Sequence, residues 1–518
     1  MNNNSLLLGV DIGTSACKAA VFTQDGSVKA SADREYNTYL PESGYAEQDC
    51  NEWWDAVCSV LKECMSKIDH NFKIACIGVD GQSWSCIPVD KNGNVLCRTP
   101  IWMDMRATDI CDKAEAEIGK EALFNVSKNP FKPSYTTPKI MWLKEHNKNI
   151  YNETEFFLQS NSYIVYRLTG VISQDRSQCY GLHVYDIEKG CYDKSLCDTL
   201  QIDINKLPRI YECDEIVGNV TKEASEMTGI PEGTPVVAGG LDAACGALGA
   251  GVYEPGQTQE QGGQAGGMSV CIDNATGDSR LILSNHVVPG KWLLQGGTVA
   301  GGASYKWIGE TIGEYEFLKG NKNGQSPWKI MDDMASQINP GSDGLIFLPY
   351  LSGERSPIWD SKASGMFFGL SFEKTRGHMY RAVLEGVSYA LRHNLDTVKS
   401  IGITINSLNA IGGSSKSDIW MQIKADVTGI AINEPETESA TALGAAIMAG
   451  IGVGIYKNYE DAVSKTFRIK KRFIPNPDNK RIYDEYYKIY RDLYRNTKGI
   501  MEKQNNILVS LNMKKSNT

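Results

Sequence analysis

The sequence has few histidines, no Cys-x-x-Cys pair, no apolar run of membrane-spanning length and no surplus of positive charge, and each shortage removes a class of protein. Six histidines show no metal spacing, and fourteen cysteines are scattered from Cys17 to Cys271. That pattern argues against a zinc site or a disulfide frame and for reduced thiols packed as small hydrophobes. The N-terminus lacks the basic start and long apolar segment of a secretion signal, so a cytoplasmic protein without a membrane partner is expected. A formal net charge of −9 argues against nucleic-acid binding through a broadly basic face. What is present is a chain of 518 residues, long enough for two or more domains, with an ordinary 42% apolar and 22% charged share. Its 50 glycines imply many tight loops.

Two stretches far apart in the chain each place an Asp beside glycines at a strand end. Leu6 to Val10 reads as a short buried strand, ended by Asp11-Ile12-Gly13-Thr14-Ser15 and a tight turn into a second strand, Cys17 to Phe22. Pro235-Val236-Val237-Ala238 leads likewise into Gly239-Gly240-Leu241-Asp242. The first turn offers backbone N–H groups and two hydroxyls to an anion, while Asp11 suits a hydrated Mg²⁺. Taken alone, Asp-x-Gly in a hairpin is an ordinary turn.

The layout is α/β. Ile74 to Val79 and Cys86 to Val89 read as strands, and Glu52 to Ile68 as a helix with a stripe through Trp54, Val57, Val60, Leu61 and Met65. A second series starts near Thr258, with strands at Gly267 to Ile272, Lys291 to Gln295 and Gly344 to Pro349, and helices at Gly302 to Ile312 and His378 to Val398. A Pro-Gly turn within Val252 to Gln257 marks the crossover. The expected division is 1–252, 253–490 and a polar tail, 491–518, after a last helix through Tyr483 to Leu493. Near Asn409, an apolar strand runs through Gly412-Gly413 into a helix from Asp418 to Val427, an arrangement that admits a nucleotide or serves as a plain helix entry. Ala440 to Gly450 is a run of small residues suited to close helix packing.

From about Leu6 to Phe473 the chain resembles the FGGY carbohydrate kinases, ATP-dependent sugar and polyol kinases. Two long motifs carry the likeness: Ser134 through Lys139 and Trp142 to His146, and Gly365 through Gly369 and His378 to Glu385. Glu47-Gln48-Asp49, Trp102-Met103-Asp104-Met105-Arg106 and Ser352-Gly353-Glu354-Arg355 support it, and 344–369 is most similar to the xylulokinase branch. The resemblance implies two actin-like (ribonuclease H-type) domains flanking a catalytic cleft, with ATP and Mg²⁺. It implies Asp242 as catalytic base and sugar contact, and Asp11 as the residue holding hydrated Mg²⁺. Thr14, Ser15 and Lys18 would form a first phosphate loop, and Gly263, Gln264, Ala265 and Gly266 a second. Gly302 and Lys306 would lie near the nucleotide, Gly413 and Ser417 would hold adenosine, and Gln82, Ser83, Trp84, Trp102 and Asp104 would face the sugar. Read without the resemblance, Lys18 and Arg106 are solvated or paired charges, Trp102 is core, His378 is a helix start, and Glu354 and Arg355 belong to a structural loop.

The chain departs from the family where Gly81-Gln82-Ser83-Trp84-Ser85 replaces the Gly-Gln-Met-His-Gly of xylulokinases, which exchanges a His for a bulkier single donor. In the second phosphate loop Gln264 stands where a hydroxyl is usual. The expected activity is phosphorylation of a primary hydroxyl of a small ketose or polyol. D-xylulose leads, with ribulose, another pentulose, erythritol or glycerol behind it and a non-catalytic sugar or nucleotide sensor as the contrary reading. The family's members are often dimers or larger, so a homodimer is allowed, but no stripe in the sequence marks an interface.

Overall fold

The structure is a computed structural model that describes residues 4–437 and 439–515. It divides into two compact units. One comprises Met1–Pro255, Cys271–Leu294 and Ser439–Arg468, and the other Gly256–Val270, Gln295–Glu438 and Ile469–Thr518.

In the first unit the apolar start of the chain forms the strand Ser5–Ile12, buried over most of its length because both sheet faces are covered. It pairs antiparallel with Ala16–Phe22, which pairs with Val28–Glu35. On its other side it pairs parallel with Lys73–Gly81, followed by Pro235–Val237 and the edge strand Ile216–Asn219. Side chains alternate along a strand, so Leu6, Leu8, Val10 and Ile12 share one face. They join a cluster with Val57, Val60 and Leu61 of the helix Cys50–Lys67. That helix starts two residues before its apolar stripe suggests, because the Asp49 carboxylate accepts the Asn51 N–H at 2.8 Å.

The opposite face is covered by the helix Ala440–Gly452, and here the small-residue run does the packing expected of it. A Cβ on Gly78 would lie 2.0 Å from the Ala445 carbonyl oxygen, and one on Gly444 would lie 1.9 Å from that of Cys245. The helix thus rests backbone to backbone on the strand Lys73–Gly81 and on a second helix, Asp242–Gly249. Gly at such points permits a separation that any side chain forbids.

The second unit repeats this strand order. Trp292–Thr298, Gly266–Ile272 and Gln257–Gly262 are followed by Ser407–Ile411 and Ile432–Pro435, with Ile469–Phe473 at the edge. Gln257–Gly262, Ser407–Ile411 and Ile432–Pro435 run parallel. The helix at Gly302–Ile312 has the expected bounds, and the long helix Arg376–Ser400 is opened by Thr375 in a capping box with His378. His378 is therefore a helix-start residue, also 3.1 Å from Asp343 Oδ2. The last helix, Pro477–Lys515, runs through most of the stretch read as a polar tail. Among the described residues no helix is long and apolar enough to cross a membrane, and all fourteen cysteines are free.

Gly78→Val should cost about 3 kcal/mol by overpacking against the Ala445 carbonyl. Gly499→Ala, at a helical position with nothing within 4 Å, should be stabilising by about 0.5–1 kcal/mol. Urea unfolding of both variants checks this, and a Gly78→Val midpoint equal to the wild type would refute the close approach.

Candidate functional site

In the first unit, register brings three carboxyl groups to one end of the sheet. Asp11 lies opposite Asp80 in the parallel pair and opposite Lys18 in the antiparallel one. The short strand Gly240–Leu241 pairs Gly240 with Asp80 and Leu241 with Gly81, so Asp242 opens the helix Asp242–Gly249 at the same end. Asp80 is the member that sequence reasoning missed. Its signal was present, because Asp80-Gly81 ends a predicted strand as Asp11 and Asp242 follow theirs.

Asp80 is fully buried, and Asp11 and Asp242 are partly buried. Burial, and then the charges of Asp11 and Asp242, push the Asp80 carboxyl well above the usual range, and neither of its oxygens has a donor. Burial raises Asp11 too, with Lys18 opposing, so the facing carboxyls Asp11 and Asp80 favour a shared proton or a cation between them. Asp242 keeps partial exposure, yet burial, then Asp11, push it up to about 7, against the pull of the Ala243 N–H at 2.6 Å. An all-carboxylate donor set suits a hard cation that retains water, and the unmatched Asp80 oxygens fit such an ion. Among the described residues no group of three His, Cys, Asp or Glu closes around a bare ion.

The first loop is tied to its surroundings through Gln48. Its Nε2 donates to the Thr14 carbonyl at 2.6 Å, and its Oε1 accepts from Gln82 Nε2 at 2.7 Å and Trp53 Nε1 at 3.1 Å. Trp102 Nε1 donates to Thr14 Oγ1 at 2.9 Å, the Tyr36 hydroxyl donates to the Gly13 carbonyl, and the Ser15 carbonyl accepts the Tyr36 N–H at 3.3 Å. Thr14, Trp102 and Gln82 are thereby brought together, while Lys18 and Ser15 are exposed.

Ser83 Oγ accepts from the Tyr180 hydroxyl at 2.7 Å. Trp84 is buried at a positive φ of 61° and stacks on Tyr135 with ring centroids 4.0 Å apart. Its Nε1 and the Gln82 Oε1 are both buried without a partner. Lys139 spends its three N–H groups on the carbonyls of Trp84, Ile101 and Ser134 at 2.9, 2.7 and 2.6 Å, and burial pulls its pKa down to about 7. Asp104 is saturated by the Ala46 N–H at 2.7 Å and by the Arg106 backbone and guanidinium, and Arg106 also reaches Glu47 at 2.7 Å. Of the two readings of Arg106, the paired charge holds, and it lies 4.1 Å over the Tyr45 ring.

In the second unit, the turn 263–265 closes the hairpin of Gln257–Gly262 and Gly266–Ile272. It leans on the start of the helix Gly302–Ile312: the Gly302 N–H reaches the Gly263 carbonyl and the Ala303 N–H the Gln264 carbonyl, both at 2.9 Å. The turn 412–417 sits at the end of the neighbouring parallel strand Ser407–Ile411. There Ser417 Oγ caps the helix Asp418–Thr428 by accepting the Trp420 N–H at 3.3 Å. Lys306 is exposed and faces Glu310 at 3.7 Å. A support not foreseen is buried Lys424, which donates to Glu260 at 2.6 Å and Ser414 at 2.9 Å. Glu354 accepts from Thr298 Oγ1 and from the N–H groups of Val299 and Arg355 at 2.9 and 2.8 Å, a structural role as expected, and burial pushes it up to about 7.

Comparison with known proteins identifies the family of the chain. Residues 6–249 match the FGGY family of carbohydrate kinases, N-terminal domain, and 273–453 its C-terminal domain. A xylulose kinase of Staphylococcus epidermidis is 33% identical over 499 residues, spanning 96% of this chain and 97% of its own. A gluconokinase of Bacillus subtilis is 27% identical over 497 residues, spanning 95% and 96%. The crystal structure of xylulose kinase from Rhodospirillum rubrum matches with a TM-score of 0.87 at 30% identity, covering 96% of this chain and 100% of that one. With both family domains matched in order, the chain belongs to the FGGY family of carbohydrate kinases and is an ATP-dependent sugar kinase of the two-domain, actin-like fold.

Proposed function

We propose that the acceptor is a small neutral ketose or polyol, D-xylulose first, phosphorylated on a primary hydroxyl with Asp242 as the base. The carrying observation is the state of Asp242. Its carboxyl is raised to about 7, and the Ala243 N–H is the one hydrogen bond it accepts among the described residues. It thus retains acceptor capacity for a hydroxyl proton. Phosphoryl transfer asks the protein mainly for position and charge balance, so Asp242 orients the hydroxyl and takes its proton as the oxygen bonds to the γ-phosphorus.

In this reading Asp11, with Asp80 beside it, holds hydrated Mg²⁺, which supplies charge neutralisation to the phosphates when bound. Thr14, Ser15 and Lys18 line the first phosphate loop, and Gly263, Gln264 and Gly266 the second. Gly302, Lys306, Gly413 and Ser417 take the nucleotide. Residues 1–252 then carry the sugar and the base, and 253–490 the nucleotide. The free thiols accord with a reducing cytoplasm.

Two features favour a neutral sugar over an aldonate, although gluconokinases are among the relatives. Lys139, beside Trp84, donates to three carbonyls, and Arg106 is already paired with Asp104 and Glu47, so neither is a lone cation awaiting a carboxylate. The unmatched Trp84 donor and Gln82 acceptor suit hydroxyls, which both accept and donate. Gln82, Ser83, Trp84 and Trp102 serve as sugar contacts, and Asp104 acts by fixing Arg106 and Ala46. The xylulose kinase names of the relatives point to D-xylulose.

Coupled ADP release should show turnover with D-xylulose and at least about tenfold less with D-gluconate. Activity confined to gluconate would overturn the neutral-sugar reading. Asp242→Asn should lose at least about a hundredfold in kcat while still binding ATP, and a folded mutant with normal turnover would remove Asp242 as base. Chelation should abolish turnover and added Mg²⁺ restore it, with Asp11→Asn requiring more Mg²⁺ for half-maximal rate. An unchanged requirement would dismiss Asp11 from that role.

A further inference from the structure

One buried acid of the first unit has no part in the roles above. Asp175 ends the short strand Gln174–Asp175 and is 0% exposed. Its Oδ1 accepts the Ser177 hydroxyl at 2.6 Å and the Gln178 N–H at 2.9 Å, and its Oδ2 accepts Asn161 Nδ2 at 2.9 Å. Ser177 Oγ in turn accepts the N–H of Leu241 at 2.8 Å, and Asn161 Nδ2 also reaches the Ala238 carbonyl at 3.4 Å. The segment that leads into Asp242 is therefore gripped at Ala238 and at Leu241 by groups that both depend on Asp175.

The grip adds to the pairing of Gly240–Leu241 with Lys73–Gly81 and to the N–H groups of Ala238 and Gly239, which reach the Glu215 and Cys213 carbonyls at 2.9 and 3.1 Å. Leu241 is the N-cap of the helix Asp242–Gly249, in an extended conformation and without a side-chain cap. The Asp242 carboxylate accepts the Ala243 N–H through one oxygen and makes no hydrogen bond to the Leu241 N–H. A hydroxyl rotates freely, and a carboxylate accepting its proton fixes its lone pairs on the Leu241 N–H. Burial of all three groups prevents water from replacing Ser177 Oγ. The same loop closes the other side of the site, because Gln178 Nε2 donates to the carbonyls of Gly81 and Gln82 at 2.8 and 3.3 Å.

We propose that Asp175 and Ser177 are positioning residues for Asp242, acting through the Leu241 N–H without touching sugar or nucleotide. This rests on Asp242 being the base. A displacement of the base by a fraction of its contact distance lowers the rate of transfer and leaves binding of ATP intact.

The test compares steady-state kinetics of the full-length Ser177→Ala, Ser177→Thr and Asp175→Asn variants, with Ser177→Ala repeated in an Asp242→Asn background. Ser177→Ala and Asp175→Asn should lower kcat about tenfold to a hundredfold with KM for ATP within about twofold. Ser177→Thr, which keeps the hydroxyl, should recover most of the loss. In the Asp242→Asn background Ser177→Ala should cost nothing further. A wild-type kcat in Ser177→Ala, or the same fold loss in both backgrounds, would overturn the proposal while leaving the base assignment standing. Normal turnover in Asp242→Asn alone would overturn the base and the proposal together. Should Ser177→Ala fail to fold, the Asp175→Asn kcat and KM decide, with an unchanged kcat or a matching loss of ATP affinity counting against it.

Discussion

The first unit depends on a contact in which no side chain takes part. The helix Ala440–Gly452 lies with its carbonyls against the glycines of the central strands and of the helix Asp242–Gly249. Two strands and two helices from the start, middle and end of the chain are thereby drawn to backbone distance. Because side chains alternate, Gly78 and Asp80 lie on one face, the glycine under the helix and the acid past it. The contact that packs the core thus also determines that Asp80, and Asp11 across from it, stand at the edge of that packing rather than under it.

That placement creates an electrostatic imbalance. Carboxyl groups at Asp11, Asp80 and Asp242 gather with Lys18 beside Asp11; burial raises all three, and repulsion by neighbouring carboxylates adds to it at Asp80 and Asp242. Such a cluster is costly for folding and suited to binding a hydrated divalent ion and accepting a proton. Around it the polar groups are committed in a graded way. Asp104 and Lys139 are saturated and Arg106 is paired with Asp104 and Glu47, whereas Gln82 and Trp84 retain unmatched atoms. Groups whose hydrogen bonds are already made are thus told apart from groups that keep an unmatched atom.

Much of this was legible in the residues. Asp11 and Asp242 stand beside glycines after apolar runs, and the helix at Gly302–Ile312 and the packing role of Ala440 to Gly450 follow from pattern alone. Asp80 carries the same strand-end signature, which by itself does not separate a site carboxylate from an ordinary Asp-Gly turn. Asp175 and Ser177 had no signature: a strand of two residues has no periodicity to read. Gln48 and Gln82 are separated by 34 positions, and no local rule pairs them.

The sequence by itself determined the α/β class, the repeated series of elements and the chemical types available to the site, since these follow from local periodicity, glycine positions and side-chain identity. Only the tertiary structure decided which of those groups are spent and which are free. Asp104 and Arg106 neutralise one another, Trp84 stacks on Tyr135 at a positive φ, and the entry to Asp242 is linked through Ser177 and the Leu241 N–H to Asp175, 67 positions before it. Hydrogen-bond saturation and desolvation depend on neighbours that the sheet register brings together from distant parts of the chain, and that register is a property of the whole packed unit rather than of any segment.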